Sequence, residues 1–164
     1  MVRFLKLPVA TIAVYFAMNT VALSDSPQQM VQRFAGTWTC VTHDSMHKTW
    51  RETDVSTIFG PWIRTQVSSP AQNGMKAATG TDFFGYDSSR KRWTFSNFST
   101  DGSYFESYSS SPSFDGAVWK MAYPAGPLAA TSHMSSANQY SMDWSGPGPN
   151  GHTVTGHQVC TRTL

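Results

Sequence analysis

The sequence predicts an all-β protein, a single antiparallel β-barrel of about 8–10 strands preceded by a short helix. Three observations carry this expectation. Apolar and polar residues alternate over short runs, turn-forming residues separate the runs, and no later stretch keeps a helical period for three turns. The two cysteines, Cys40 and Cys160, fall in the first and last of these runs. A bridge between them would join the first strand to the last, as closure of a sheet into a barrel requires.

The chain opens with Arg3 and Lys6, continues through an apolar run from Leu7 to Met18, and reaches the small residues of Ala22-Leu23-Ser24. This is the pattern of a secretory signal cleaved after Ser24. Residues 1–24 are therefore read as a signal peptide and residues 25–164 as one barrel domain, exported to the periplasm or the exterior. The apolar run is interrupted by Pro8, Thr11, Asn19 and Thr20 and falls short of the ~20 residues a membrane span needs, so no stable membrane insertion is expected. Export places the cysteines in an oxidising compartment. On the chain-entropy estimate a bridge closing so long a loop stabilises the fold by about 5 kcal/mol.

Within Asp25–Ala35, Met30, Phe34 and Val31 can share one helical stripe, which predicts a turn or two of helix leading into the first strand. Strands are then expected over Gly36–His43, Thr49–Ile58, Trp62–Val67, Ala77–Tyr86, Arg92–Phe98, Tyr104–Ser109, Ala117–Tyr123, Ser132–Ser136, Gln139–Trp144 and Thr153–Thr161. The segments between them carry Gly60-Pro61, Asn73-Gly74, Asp87-Ser88-Ser89, Asp101-Gly102, Asp115-Gly116 and the stretch Gly146–Gly151. Each supplies either a positive φ or a side chain that caps its own backbone.

Charge excludes one class of partner. Two of the 12 Lys and Arg lie in the signal segment, whereas all 10 Asp and Glu follow it, so the mature chain is formally neutral. The electrostatic footprint of a nucleic-acid binder is absent, and no nucleic-acid partner is expected. The one basic cluster, Arg90-Lys91-Arg92, falls in a turn.

Three strands show clear alternation: Trp93, Phe95 and Asn97; Trp119, Met121 and Tyr123; Tyr140, Met142 and Trp144. These faces are predicted to point inward. They either fill the barrel or line a cavity for a small apolar or aromatic ligand, since a small barrel can do both. Arg64, alternating with Trp62 and Gln66, joins the candidate ligand-binding set on the reading that it points inward, where it would meet an anionic group.

No HExxH, GxSxG, P-loop or GxGxxG is present. His43 and His47 would lie about 13 Å apart on one strand, too far to share a metal, and His152 and His157 fall on opposite faces. Two isolated cysteines are poor metal ligands, so neither a metal nor a cofactor is expected. Glu52, Asp54 and Glu106 sit among aromatic residues, where a buried carboxyl could act as an acid or base. Their faces are read as turned to solvent.

Gly36-Thr37-Trp38-Thr39-Cys40, Phe84-Gly85-Tyr86-Asp87 followed by Lys91-Arg92-Trp93, the Asp115-Gly116 to Trp119 step, and Val159-Cys160 together resemble a family of secreted bacterial lipocalin-like proteins of unknown function. The resemblance spans nearly the whole mature chain and rests on turn and core residues. It implies a calycin-type barrel in which Trp38 closes the bottom. The later Thr-Asp-Tyr signature of classical lipocalins is missing, and Cys40 stands where haem-binding nitrobindin-like barrels carry a second glycine. The function expected is a secreted binding module. Its alternatives are a small-molecule enzyme using a buried carboxylate and a structural or interaction barrel with a filled core. The oligomeric state is left open.

Overall fold

The computed structural model describes residues 25–148 and 151–163; the expected signal segment, residues 1–24, lies outside the described residues. One helix, α1 (Pro27–Gln32), precedes ten strands: β1 (Gly36–Asp44), β2 (Thr49–Phe59), β3 (Trp62–Ser69), β4 (Ala78–Asp87), β5 (Arg92–Ser99), β6 (Tyr104–Ser109), β7 (Ala117–Tyr123), β8 (Ala129–Ser136), β9 (Gln139–Pro147) and β10 (Thr153–Thr163). They form a closed antiparallel barrel in which every strand pairs with its sequence neighbours and β10 returns to β1. Closure leaves no unpaired sheet edge.

The strands agree with the sequence expectation except at their ends. The largest differences are in β8, which begins at Ala129 rather than Ser132 because Ala129–Thr131 pair with Asp143–Ser145 of β9, and in β9, which runs on to Pro147 rather than ending at Trp144 because it pairs with β10 as far as Thr153. The predicted bridge is present: Cys40 and Cys160, 120 residues apart, are joined, and they stand directly opposite one another in the β1–β10 register.

Local chemistry starts α1 where the sequence suggests. The Ser26 hydroxyl accepts from the Gln29 amide at 3.3 Å, and the Gln29 side chain accepts from the Ser26 amide at 2.9 Å. This reciprocal capping satisfies two of the helix's orphan donors, and Pro27 supplies a preset φ in the first turn. The chain then turns into β1 at Gly36, whose φ of 126° a side-chain-bearing residue rarely adopts.

Helix α1 carries Val31, and Phe34 follows in the link to β1; both drop into one end of the barrel. Val31, Ile63 and Trp93 are each 1% exposed there, and Phe34, Phe84, Phe114, Ala117, Trp119 and Ala130 complete the same cluster. The Phe84 and Trp93 rings stack at 5.5 Å, and Phe34 meets Phe114 edge to face at 4.8 Å. Two buried polar side chains of this plug are paired in series, whereas the Trp93 indole N–H is buried without a partner. The Trp119 indole donates to the Ser132 hydroxyl at 2.9 Å, and that hydroxyl donates to the Phe114 carbonyl at 2.6 Å.

Trp38 lies at the same end. Its indole N–H donates to the Phe34 carbonyl at 2.9 Å, which ties the helix-to-strand link to the barrel wall. The Arg162 guanidinium covers the Trp38 ring at 4.3 Å and donates to the carbonyls of Arg33 and Ala35. One cation therefore satisfies the open end of α1 and seals the aromatic plug from outside.

Candidate functional site

Above the plug, toward the strand ends remote from α1, the interior is not filled. A cavity of about 470 Å³ occupies it, within the range typical of small-molecule sites. Its two walls differ in chemistry.

The first wall follows from the register. Directly opposed residues of antiparallel strands share a face, and Trp38 and Cys40 are inward, so their partners Asp54 and Glu52 are inward too. The same rule carries the polar band onward: Ser56 opposes Thr65, Thr65 opposes Asp82, and Asp82 opposes Asn97. The expectation that Glu52 and Asp54 face solvent is thus corrected. Outward-facing Val55, 45% exposed, breaks the simple rule that the apolar member of an alternating run is the buried one. Glu106 does face outward, opposite Ser96 and Tyr123.

Glutamine and asparagine hold two of the three carboxyls. Gln158 donates to Glu52 at 2.7 Å, and Asn97 donates to Asp82 at 2.6 Å. The hydroxyls of Ser56 and Thr65 bond to each other at 2.8 Å. Asp54 has no such donor: its Oδ1 is buried without a partner. Burial, followed by the charges of Glu52 and Asp82, pushes the Asp54 carboxyl up to about 8. Burial also lifts Asp82 to about 7, against the Asn97 hydrogen bond and with a further push from Glu52. Glu52 is raised by burial, opposed by its bond from Gln158.

The second wall is apolar. Phe95, Trp119, Met121, Tyr140, Met142 and Trp144, all singled out from alternation, line the cavity. Phe105, Leu128 and Ala130, which sequence reasoning did not select, line it with them. The Trp144 indole packs onto Gly156 of the neighbouring strand, in space that a Cβ would occupy. A glycine opposite a tryptophan on the next strand was a readable signal for that packing.

Three expected residues stand elsewhere. Trp93 points inward, yet it is buried in the plug against Phe84 and does not line the cavity. Arg64 lies on the outer face, because its neighbours Ile63 and Thr65 are the inward residues of β3. Tyr123 is 57% exposed. The β6–β7 register skips Ala122, so that Ser107 opposes Met121 but Glu106 opposes Tyr123. This bulge flips the strand's phase, and Tyr123 joins an outer row with Phe98 and Tyr104.

Among the described residues, one group of metal-ligating atoms lies close enough to share an ion: Cys40, Asp54 and Cys160. The disulfide consumes both thiols, which removes the group as a metal centre. His43 is bonded instead to the Thr49 hydroxyl at 2.9 Å, and His157 to Asp143 at 2.6 Å.

No protein-family model matches the sequence, and no curated protein is similar to it. Solved structures are similar to its fold. A designed fluorescence-activating β-barrel is 16% identical, with a TM-score of 0.51, over 81% of this chain and 96% of its own. The S-type phycobiliprotein lyase of Guillardia theta is 9% identical, with a TM-score of 0.47, over 85% of this chain and 94% of its own. At these identities the likeness concerns architecture alone, and the chain is a closed, antiparallel, ten-stranded β-barrel.

Proposed function

We propose that this chain is an exported binding module, residues 25–164 forming a barrel that holds a small, flat, largely apolar molecule in its interior. The observation that carries the reading is the cavity of about 470 Å³, with one end plugged by α1 and the rings beneath it and one wall built from aromatic and methionine side chains. Rings offer flat apolar area with little conformational freedom to lose, and methionines adapt to irregular shapes. Trp119, Tyr140 and Trp144 are the residues on which such a molecule would rest. The paired cysteines suit an oxidising, exported setting.

Native mass spectrometry of protein purified from its own source tests this directly, with a bound small molecule as the expected result. Intrinsic tryptophan fluorescence, titrated with a broad panel of aromatic and fatty compounds, is the independent check. If nothing copurifies and no compound shifts the emission, the barrel is a structural or interaction module.

A catalytic reading has one observation behind it: carboxyls at about 7 and about 8 on one wall of a cavity are suited to proton transfer near neutral pH. It predicts turnover of a bound compound, lost on replacing Asp54 or Asp82. The binding reading predicts recovery of that compound unchanged.

A further inference from the structure

We infer that the cavity's occupant is an organic cation, a protonated amine or comparable nitrogen base on a flat apolar body, whose charged end sits among Glu52, Asp54 and Asp82. The inference deepens the binding-module reading and rests on it. It begins from an imbalance of charge. Three carboxyl groups face one enclosed space, and no basic side chain forms a salt bridge with any of them among the described residues.

The charged and titratable groups around them come from every neighbouring strand, and none neutralises the cluster. Tyr140, on β9, is half-buried; desolvation of its hydroxyl, followed by the nearby charges of Asp54, Glu52 and Asp82, holds it well above its ordinary range, so it is neutral. Lys120, on β7, also lines the cavity, but it is exposed and forms no salt bridge with any of the three carboxyls. Arg162, on β10, is committed to the carbonyls of Arg33 and Ala35 and to the Trp38 ring. Buried charges are otherwise paired or neutralised, because an uncompensated one costs several kcal/mol.

Asp54 supplies a separate observation. It is 8% exposed, it lines the cavity, and its Oδ1 has no hydrogen-bond partner. Its other oxygen lies 3.5 Å from the Sγ of Cys40, which has no proton to donate. Glu52 and Asp82 each have an amide donor, so Asp54 is the one carboxyl of the three whose hydrogen-bonding capacity no protein amide uses.

The spacing separates an organic cation from a metal. Ligand atoms of Glu52, Asp54 and Asp82 do not converge within the span one ion would need, whereas an ammonium or amidinium group presents several N–H donors in different directions. The opposite wall suits the rest of such a molecule. Phe95, Tyr140 and Trp144 line it, aromatic rings suited to a flat body or to a cationic group. The cavity is thus acidic on one side and aromatic on the other.

Calorimetric titration of the intact protein at pH 8 with matched probes tests this, using ethylamine, ethanol and propionate derivatives of phenyl, indolyl and naphthyl frames. The amine of at least one frame should bind tenfold or more tightly than the alcohol of that frame, and the propionates should bind least. D54N should remove that preference by lowering the amine's affinity tenfold or more relative to the alcohol's, with a thermal melt of the variant showing that the barrel still folds. E52Q and D82N provide the same comparison where D54N fails to fold. If alcohols bind as well as amines, the cation inference is overturned and the binding module stands. If no frame binds in any form, both readings fall.

Discussion

The carboxyl of Asp54 approaches the Sγ of Cys40 to 3.5 Å, inside the barrel, where the disulfide sulfur carries no proton to share. A polar oxygen is therefore held against the bridge that joins β1 to β10. Asp54 is directly opposite Trp38 in the β1–β2 register, so the pairing of these strands leaves its side chain nowhere else to point.

The first prediction concerns acid–base stability. Asp54 titrates near 3.8 when unfolded and at about 8 when folded, and Asp82 at about 7. Between these limits the folded chain binds more protons than the unfolded one, so stability falls as pH rises. The stabilising contribution is complete below about pH 4 and is lost progressively by about pH 8. The ligand-free protein should melt at a higher temperature at pH 5 than at pH 8. Asp54→Asn should flatten that dependence and stabilise the protein at pH 8 by on the order of 1–3 kcal/mol. Urea unfolding at the two pH values measures both effects, and an unchanged pH slope in the variant would count against the burial of this charge.

The second prediction concerns the bridge. Thiol titration of the denatured, unreduced protein should find no free cysteine. Reduction, or the double substitution Cys40→Ala with Cys160→Ala, should destabilise the barrel by about 2–5 kcal/mol. Equilibrium unfolding in urea, with and without reductant, gives the difference.

The third prediction concerns Arg162, which sequence reasoning passed over. Arg162→Met keeps an apolar stem over Trp38 but removes the donors to Arg33 and Ala35. The loss of charged hydrogen bonds should cost about 1.5–3 kcal/mol. Hydrogen exchange should quicken in residues 30–38 more than elsewhere, whereas a uniform change around the barrel would contradict the local role.

Most of the architecture was legible because it rests on local signals. Period-two alternation and turn chemistry placed ten strands, and two cysteines at opposite ends of the chain indicated how they close. The cavity wall was harder to read, since it depends on register. Trp119, Met121 and Trp144 carry their own hydrophobic signal, whereas Glu52 and Asp54 are inward only because they oppose Cys40 and Trp38 across the Asp44–Lys48 turn. Counting residues through that turn would have assigned them. Tyr123 was misplaced by a one-residue bulge at Ala122, which no composition signal marks. Phe114 reaches the core from the loop between β6 and β7, beyond the reach of strand periodicity.

The last prediction uses the tightest packing at the cavity wall. Gly156 lies under the indole of Trp144, and a Cβ at that position would fall within the ring system. The conflict involves a large side chain flanked by neighbours on β8 and β10, so the ring must swing into the cavity or the strands must part. Overpacking of this kind costs about 1–3 kcal/mol. Gly156→Ala should therefore lower stability by that amount and weaken any ligand that rests on Trp144. Trp119→Ala removes a ring that belongs to both plug and cavity, and should cost about 3–5 kcal/mol. Gly126→Ala is the control, since the nearest atom to its added methyl is 3.9 Å away and its backbone is not in the left-handed region. Thermal melts and fluorescence titration of the three variants measure stability and binding together. If Gly156→Ala behaves like Gly126→Ala in both, Trp144 does not pack on β10 as described, and it does not form the cavity wall.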